Sequence, residues 1–251
     1  MSELDFDNRA RKLLAKNSYD VYDLAELVSL LRCEKGCPWD KVQTHASIRR
    51  DFLEETYEVL EAIDCDSPEM LREELGDVLL QVLFHTDIEK DAGHFDIDDV
   101  ADEVCKKLIL RHPHVFGDVK ADSPEQVLKN WDAIKMDEKH QESYTDTLRS
   151  VPRVFPSAMR AQKLGKRASR AGIDFADVSV AEKLLAERAA AGADTAEIMF
   201  LCANIIRMRG GDAEEELERQ CADFIDRFDK LESSGGLAGT SAEELYFTRE
   251  N

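Results

Sequence analysis

The chain has 251 residues, of which 43% are hydrophobic and 34% charged, an ordinary composition for a protein that buries the core of one large or two modest domains. Its 53 acidic residues outnumber the 33 Lys and Arg residues, and the formal charge of −20 excludes nucleic-acid polymers and anionic membranes as expected partners, because like charges repel. No apolar run approaches membrane-spanning length, and the first residues lack the apolar centre of a signal peptide, so we expect a cytoplasmic protein with reduced cysteines.

Helix-start signals recur along the chain, whereas strand signals are almost absent. Most of these signals are a Ser, Thr or Asp that stands before Pro, or three residues before an acidic or amide side chain, and each leads into apolar residues at helical spacing. We therefore predict an all-α protein. The clearest predicted starts are Thr44, Ser67 before Pro68, Asp96, Ser123 before Pro124, Ser179 and Asp212.

Two of the predicted helices form a hairpin that carries several acidic residues. They run from Thr44 to Asp64 and from Pro68 to about Lys90, and their short connection centres near Asp66. Helices joined by so few residues pack antiparallel as neighbours, so residues at equal distances from the turn lie level with each other. The level pairs of acidic residues are Glu58 with Glu74 and Glu55 with Asp77.

These four carboxylates are predicted to form a rectangle, because residues three apart on a helix share a face and are separated by about 4.5 Å of rise. Between Leu75 and Phe84 only Asp77 and Gln81 are polar, so we expect the second helix to be buried nearly all round. Buried carboxylates repel one another and lose hydration, and few Lys or Arg residues stand nearby to compensate. A bound cation is the simplest neutraliser, and oxygen ligands without Cys or His favour Mg²⁺, with Mn²⁺ as a substitute.

Other interpretations of the acidic hairpin stay open from the residues alone. An acidic helix face is most often a solvated surface, and the acids of a non-catalytic helical scaffold could solvate an interaction surface around a vestigial metal site. A di-iron carboxylate bundle would need Glu-x-x-His pairs on facing helices. Those pairs are missing, because Glu61 and Leu80 stand three residues after Glu58 and Asp77.

A linker is predicted between Lys139 and Pro156, where two prolines and scattered hydroxyl side chains interrupt the helical pattern. We predict an N-terminal domain over residues 1–146, a C-terminal domain over residues 147–232 and a flexible Gly- and Ser-rich tail over residues 233–251. The first of these domains contains the acidic hairpin.

The pattern Glu54-Glu55-x-x-Glu58, followed by Glu74-x-x-Asp77, resembles the signature of the MazG nucleoside triphosphate pyrophosphohydrolases, which are relatives of the all-α dUTPases. Four further segments are similar to the family's amino-terminal domain and stand in the family's order: GCPWDKVQTH (36–45), EELGDVLLQVLFH (73–85), RHPHVFGD (111–118) and NWDAIK (130–135). The resemblance covers about residues 20–140. It implies tandem MazG-like helical bundle domains, completed by dimerisation, and Mg²⁺-dependent hydrolysis of a nucleoside triphosphate to the monophosphate and pyrophosphate.

The resemblance also implies roles for individual acidic residues. The implied metal ligands are Glu55, Glu58, Glu74 and Asp77, and the implied catalytic residues are Glu54, Glu55 and Glu58. Glu54 would bind the substrate or orient and deprotonate the attacking water. Bridging metal ions neutralise phosphate charge and stabilise the leaving pyrophosphate, so this chemistry needs no nucleophilic Ser or Cys. No nucleophile elbow, P-loop or Rossmann fingerprint is present.

Cationic and aromatic residues complete the expected substrate site. The resemblance favours phosphate contacts by Lys107, Arg111 and Lys135. Leu110 replaces the first of two adjacent arginines that the family usually has. Phosphate binding is therefore expected to be weaker or to depend on a different set of contacts. A base could stack on either Trp39 or Trp131, with core packing as the alternative, and the resemblance favours Trp131.

Residues 156–177 resemble the opening of a second MazG repeat, whose acidic motif has decayed. The first acidic triplet keeps only Glu187, and the later pair is Asp194 with Glu197. One acid in the first triplet cannot complete a rectangle of carboxylates. We therefore predict a silent second site and a C-terminal domain that is structural and supports a homodimer.

Overall fold

The computed structural model describes residues 3–119, 123, 126, 127, 131, 134, 143–236 and 239–247. Every regular element in these residues is helical, which confirms the all-α prediction. None of the described helices is both long enough and apolar enough to cross a membrane. The chain divides into two compact units, Met1–Ile134 and Lys135–Asn251. The boundary predicted between residues 146 and 147 stays a prediction, since residues 135–142 lie outside the described part.

The helices of each unit are numbered in chain order. Those described in the first unit are α1 (Glu3–Leu14), α2 (Val21–Arg32), α3 (Arg49–Asp64), α4 (Pro68–Ala92), α5 (Ile97–Arg111) and α6 (Pro113–Phe116), with a 3₁₀ turn at Asp40–Val42. Those described in the second unit are α7 (Tyr144–Arg149), α8 (Ser157–Arg170), α9 (Val178–Ala190), α10 (Thr195–Met208), α11 (Ala213–Ser233) and α12 (Ala242–Phe247).

The predicted hairpin is formed by α3 and α4, which pack against each other. Ser67 caps α4 by accepting a hydrogen bond from the Met70 amide, and Pro68 occupies the first helical position. Asp66 makes the turn in the left-handed region, at φ 49°, which Asp tolerates better than most residues. The Ser67 amide also donates to the Ala62 carbonyl and so closes the end of α3. The predicted turn centre and the predicted start of α4 are therefore confirmed.

The start of α3 that was predicted at Thr44 is wrong, because α3 begins at Arg49. Thr44 and Ser47 instead form hydrogen bonds with each other. The Ser47 hydroxyl accepts a hydrogen bond from the Thr44 amide at 2.9 Å, and the Thr44 hydroxyl accepts one from the Ser47 amide at 3.3 Å. These bonds close a separate turn that competes with helix formation. Residues 44–48 therefore lead into α3 without belonging to it.

Helix α4 is central to the first unit, since it packs against α2, α3 and α5. One apolar core joins α2, α4 and the residue before α3, and its buried members are Val28, Ile48, Leu83 and Phe84. Beside this core a buried ion pair links Arg32, the last residue of α2, to Asp87 of α4. Apolar burial and this ion pair together hold α4 in place.

In the second unit α10 packs closely against α8 and also against α9. A Cβ atom added at Gly165 of α8 would lie 1.4 Å from Asn204 Oδ1 of α10, so only glycine allows this approach. Within the predicted tail, α12 packs on α11 through an edge contact between Phe224 and Tyr246, whose ring centroids are 5.1 Å apart. The second unit is thus a small helical bundle with its own apolar contacts.

Candidate metal centre

The hairpin brings acidic side chains of α3 and α4 together. One carboxylate oxygen from each of Glu55, Glu58 and Glu74 lies within 4.8 Å of the other two. Asp77 is the next acid along α4, and its charge acts on both Glu55 and Glu74. The structure therefore groups three of the predicted ligands tightly and places the fourth beside them. We call these four residues the acidic group.

The acidic group lies at a surface that is open to solvent. Glu55, Glu74 and Asp77 are half-buried, whereas Glu58 is exposed. The expectation that the second helix is buried nearly all round is wrong, because Leu75 is 51% exposed and full burial within α4 starts only at Leu83. The reason is that the apolar core with α2 forms at the far half of α4, away from the turn. A substrate can therefore reach the acidic group.

Crowding of the acids changes how they hold protons. The pKa of Glu55 is raised to about 7, first because partial burial disfavours its charged form and then because protonated Glu55 donates a hydrogen bond to Glu58. Loss of hydration, followed by the charge on Glu58, also raises the pKa of Glu74. Near neutral pH a proton is thus partly retained among these carboxylates, and a divalent cation would neutralise them in its place.

The donor atoms of the acidic group decide which metal they fit. All of them are carboxylate oxygens, and no Cys or His of the described residues joins them at ligand distance. Hard divalent cations such as Mg²⁺ prefer such oxygens, and Mn²⁺ accepts the same donors. The residues present therefore fit Mg²⁺ or Mn²⁺, with the carboxylates of Glu55, Glu58 and Glu74 as the candidate ligands.

Glu54 pairs with Arg50, and it is not among the three acids that approach one another. Its carboxylate accepts a hydrogen bond from Arg50 Nε at 2.8 Å, one helical turn earlier, and its side chain is 53% exposed. An exposed pair of this kind contributes little stability, since water and salt screen it. Glu54 is consequently free to exchange Arg50 for another partner.

Two of the predicted cationic residues, Lys107 and Arg111, lie on α5. Lys107 is exposed and Arg111 is half-buried at the last residue of this helix, and both share one face because they are four residues apart. No described ion pair links Lys107 to the carboxylates of α3 and α4. Lys135 lies outside the described residues.

The two tryptophans have different surroundings. Trp39 is 59% exposed, and its backbone carbonyl accepts a hydrogen bond from the Gln43 side chain at 2.9 Å. Trp131 is half-buried and packs near His112, with ring centroids 6.0 Å apart. His112 Nδ1 in turn donates to the Leu108 carbonyl at 2.7 Å, which closes the end of α5. The indole Nε1 of Trp131 is buried and has no hydrogen-bond partner among the described residues.

The hairpin of the second unit, α9 and α10, has an ion pair where the first has its acidic group. Arg188 donates to Glu197 at 2.5 Å, across the turn between the two helices. Asp194 caps α10 by accepting a hydrogen bond from the Ala196 amide at 3.0 Å. Among the described residues of the second unit, no three ligand atoms approach one another as those of the acidic group do. Asp194 and Glu197 thus form a helix cap and an ion pair, respectively.

One group of interacting side chains was not predicted from the sequence. His45, His85 and Glu89 meet between the segment before α3 and α4. Both histidines end segments that the family resemblance covers, but no role was given to them. The spacing of four residues between His85 and Glu89 places these two side chains on one helical face, and that signal was available from the sequence.

Comparison with known proteins finds similarity over the part of the chain that contains the acidic group. A profile of the MazG nucleotide pyrophosphohydrolase domain matches residues 43–116, which include the whole acidic group. The chain is 36% identical over 214 residues to a protein of Escherichia coli (strain K12) named nucleoside triphosphate pyrophosphohydrolase, covering 79% of this chain and 81% of that protein. A Thermotoga maritima protein named nucleoside triphosphate pyrophosphohydrolase/pyrophosphatase MazG is 35% identical over 233 residues, 89% of each chain.

A third relative extends the similarity along almost the entire chain. The Mycobacterium tuberculosis protein named nucleoside triphosphate pyrophosphohydrolase is 37% identical over 245 residues, covering 95% of this chain and 68% of that protein. The similarity thus includes the second unit as well as the acidic hairpin. The chain belongs to the MazG family of nucleotide pyrophosphohydrolases.

Proposed function

We propose that the protein is a Mg²⁺-dependent nucleoside triphosphate pyrophosphohydrolase, which converts a ribo- or deoxyribonucleoside triphosphate and water into the monophosphate and pyrophosphate. The observation that supports this most is the convergence of Glu55, Glu58 and Glu74 within 4.8 Å, with Asp77 beside them. Triphosphate hydrolysis depends on positioning and charge neutralisation, and a solvent-open group of carboxylates can supply both once a cation is bound.

The proposed roles follow from where each acid lies. Glu55, Glu58, Glu74 and Asp77 would hold Mg²⁺, which supplies charge neutralisation for the phosphate oxygens and lowers the pKa of a nearby water. Glu54 is adjacent in sequence, exposed and only weakly engaged by Arg50, so its carboxylate is available to bind the substrate or to take a proton from the attacking water.

Phosphate and base contacts are proposed for residues outside the acidic group. Lys107 and Arg111 present two cationic side chains on one face of α5, and Lys135 is proposed as a third cation from the sequence alone. Trp131 offers a half-buried indole for base stacking, and Trp39 offers an exposed one. The second unit is proposed to be structural, because its hairpin replaces the acidic group with the pair of Arg188 and Glu197.

The experiment for this proposal is a panel of ribo- and deoxyribonucleoside triphosphates incubated with the full chain and Mg²⁺. We expect pyrophosphate and the monophosphate as products, and no product after chelation of the metal. Release of orthophosphate instead of pyrophosphate would contradict the proposed bond cleavage. Absence of any turnover across the panel would favour a non-catalytic helical scaffold.

Metal binding is also expected to offset the loss of stability that Glu55 causes as the pH rises. Because the pKa of Glu55 is raised from 4.5 to about 7 in the folded chain, its contribution to stability is present below pH 4.5 and is lost as the pH rises through about 7. Relative to the Glu55→Gln variant, in which this group does not titrate, the metal-free protein should therefore have a lower melting temperature at about pH 8 than at about pH 5. Thermal unfolding followed by circular dichroism measures this.

Added Mg²⁺ provides the control for that prediction. It should raise the melting temperature at about pH 8 and have little effect at about pH 5, where protons compete for the same oxygens. Equal stabilisation by Mg²⁺ at both pH values would show that the ion binds elsewhere.

We further propose that the protein is a homodimer. Residues 101–110 of α5 are all exposed in the single chain, and four of them are large and apolar: Val104, Leu108, Ile109 and Leu110. Helix α3 also exposes Leu53, Tyr57 and Leu60. A second copy is the proposed cover for these side chains, since exposed apolar patches of this kind favour association. Sedimentation velocity of the purified chain should show a dimer, and a monomer at all concentrations would exclude it.

A cytoplasmic location is proposed as well. All six cysteines are free thiols: Cys33, Cys37, Cys65, Cys105, Cys202 and Cys221. Unpaired cysteines are typical of proteins that work in a reducing compartment. Cell fractionation would test this proposal, and recovery of the protein outside the cytoplasmic fraction would contradict it.

A further inference from the structure

A second cluster of titratable side chains lies on the same hairpin, away from the turn. His45 Nδ1 is 2.7 Å from His85 Nδ1, and the two rings are nearly parallel and meet at their nitrogen edges, with centroids 5.0 Å apart and an interplanar angle of 11°. His45 Nε2 is 2.5 Å from one carboxylate oxygen of Glu89, and His94 Nδ1 is 2.6 Å from the other. We call His45, His85 and Glu89 the histidine cluster.

The histidine cluster joins two parts of the first unit. His85 lies on α4 eight residues beyond Asp77, which corresponds to roughly 12 Å of helical rise. His85 also packs against Phe52 of α3, with ring centroids 5.7 Å apart. His45 belongs to residues 44–48, the short segment that leads into α3. The cluster thus links this segment to α4.

The distances limit how many protons the cluster can hold. A carboxylate accepts hydrogen bonds and does not donate them, so His45 Nε2 carries a proton toward Glu89. The 2.7 Å contact between the two Nδ1 atoms is a hydrogen bond, and such a bond needs a proton on one nitrogen and a lone pair on the other. The two imidazoles can therefore be neutral together or carry one positive charge between them. With both protonated, two N–H groups and two positive charges would face each other.

We propose that His45 and His85 form a pH-sensitive contact. A single proton shared between their Nδ1 atoms holds residues 44–48 against α4, and protonation of both rings releases that segment. The titratable groups that face the pair are Glu89 of α4 and, through the same carboxylate, His94 after α4. Among the described contacts of the pair, helix α3 contributes the uncharged ring of Phe52.

The expected pH window follows from the surroundings of His85. Burial, and then the charge of His45, lower the pKa of His85 from its usual 6.5. A lowered pKa in the folded chain means that the stabilising contribution is present above pH 6.5 and is lost as the pH falls through the folded value. Hydrogen bonds from His94 and His45 lower the pKa of Glu89, so this carboxylate stays charged while the histidines titrate.

The test is amide hydrogen exchange of the metal-free full chain, read at Ile48. The Ile48 amide donates to the Thr44 carbonyl at 3.2 Å and so reports whether the segment stays closed. We expect its protection factor, corrected for intrinsic exchange, to fall about tenfold between about pH 7.5 and about pH 5.5. In His85→Gln, which keeps a hydrogen-bonding side chain but does not titrate, the protection factor should be equal at the two pH values.

His94→Gln is the matched control, because His94 shares Glu89 but not the proton between the two Nδ1 atoms. It should keep the wild-type response to pH. A wild-type protection factor that does not change, or a His85→Gln response as large as that of the wild type, would overturn the proposal. Side-chain ¹⁵N resonances of the wild type give an independent reading: loss of protection at a pH where neither His45 nor His85 titrates would overturn it as well.

Discussion

Glu58→Gln is expected to lower pyrophosphohydrolase activity by roughly a thousandfold while leaving the fold intact. The amide has nearly the same shape as the carboxylate, but it removes one negative charge from the group that would hold Mg²⁺. Glu58 is exposed, so no buried contact is lost with the change. The measurement is pyrophosphate release at saturating Mg²⁺ from the best triphosphate of the panel.

The same substitution should raise stability when no metal is present. Glu58 accepts the hydrogen bond of protonated Glu55 and repels its charged form, so its neutral replacement relieves repulsion near pH 8. When a residue serves function at the expense of stability, its replacement is expected to give a variant that is more stable and less active. A large loss of stability instead would mean that Glu58 supports the fold.

Glu187→Gln is the matched control in the second unit. Glu187 occupies the equivalent acidic motif but lies 3.9 Å from Lys183 in an exposed pair, and we expect little effect on activity or stability. Loss of activity in Glu187→Gln together with full activity in Glu58→Gln would place the active centre in the second unit.

Asp87→Ala is expected to destabilise the protein by about 3–5 kcal/mol, since it leaves a buried charge without its close partner. Asp87 is 8% exposed and pairs with the Arg32 guanidinium, whose side chain is 7% exposed and lies over the Phe84 ring. Breaking one partner of a buried pair costs more than the pair itself contributes, because the remaining charge keeps its loss of hydration. Urea denaturation of the metal-free chain measures the difference in the free energy of unfolding.

Asp91→Ala separates this effect from the loss of a carboxylate in general. Asp91 accepts from the same Arg32 atom at 3.1 Å, but its side chain is 69% exposed. We expect a change below about 1 kcal/mol, because water replaces the lost contact. Equal losses in the Asp87 and Asp91 variants would mean that burial of the pair has no special effect.

Much of the acidic hairpin follows from local rules. The Ser-Pro start of α4 and the short turn at Asp66 are encoded within a few residues, and helical rise then places Glu58 level with Glu74. Counting from the turn was therefore enough to predict that Glu55, Glu58 and Glu74 approach one another, whereas the place of Asp77 in the rectangle stays a prediction. The silent second site stays a prediction, which depends on Glu187 standing without the acids needed beside it.

Other features depended on residues far apart in the chain. Thr44 carries a good start signal, yet its bonds with Ser47 close a separate turn and α3 begins later. The exposure of Leu75 depends on where α2 covers α4, which the apolar pattern of α4 does not specify. The pairing of Arg32 with Asp87 and the contact of His45 with His85 join residues 55 and 40 positions apart.

The sequence by itself determined the all-α class, the family and the register of the acidic hairpin, because these depend on helix periodicity, short turns and motifs within one stretch of chain. Only the tertiary structure decided the solvent-open side of α4, the buried ion pair and the histidine cluster. Each of these needs helices from separate parts of the chain to pack at a given angle and depth. Such packing is set by the total burial of apolar surface rather than by any local signal.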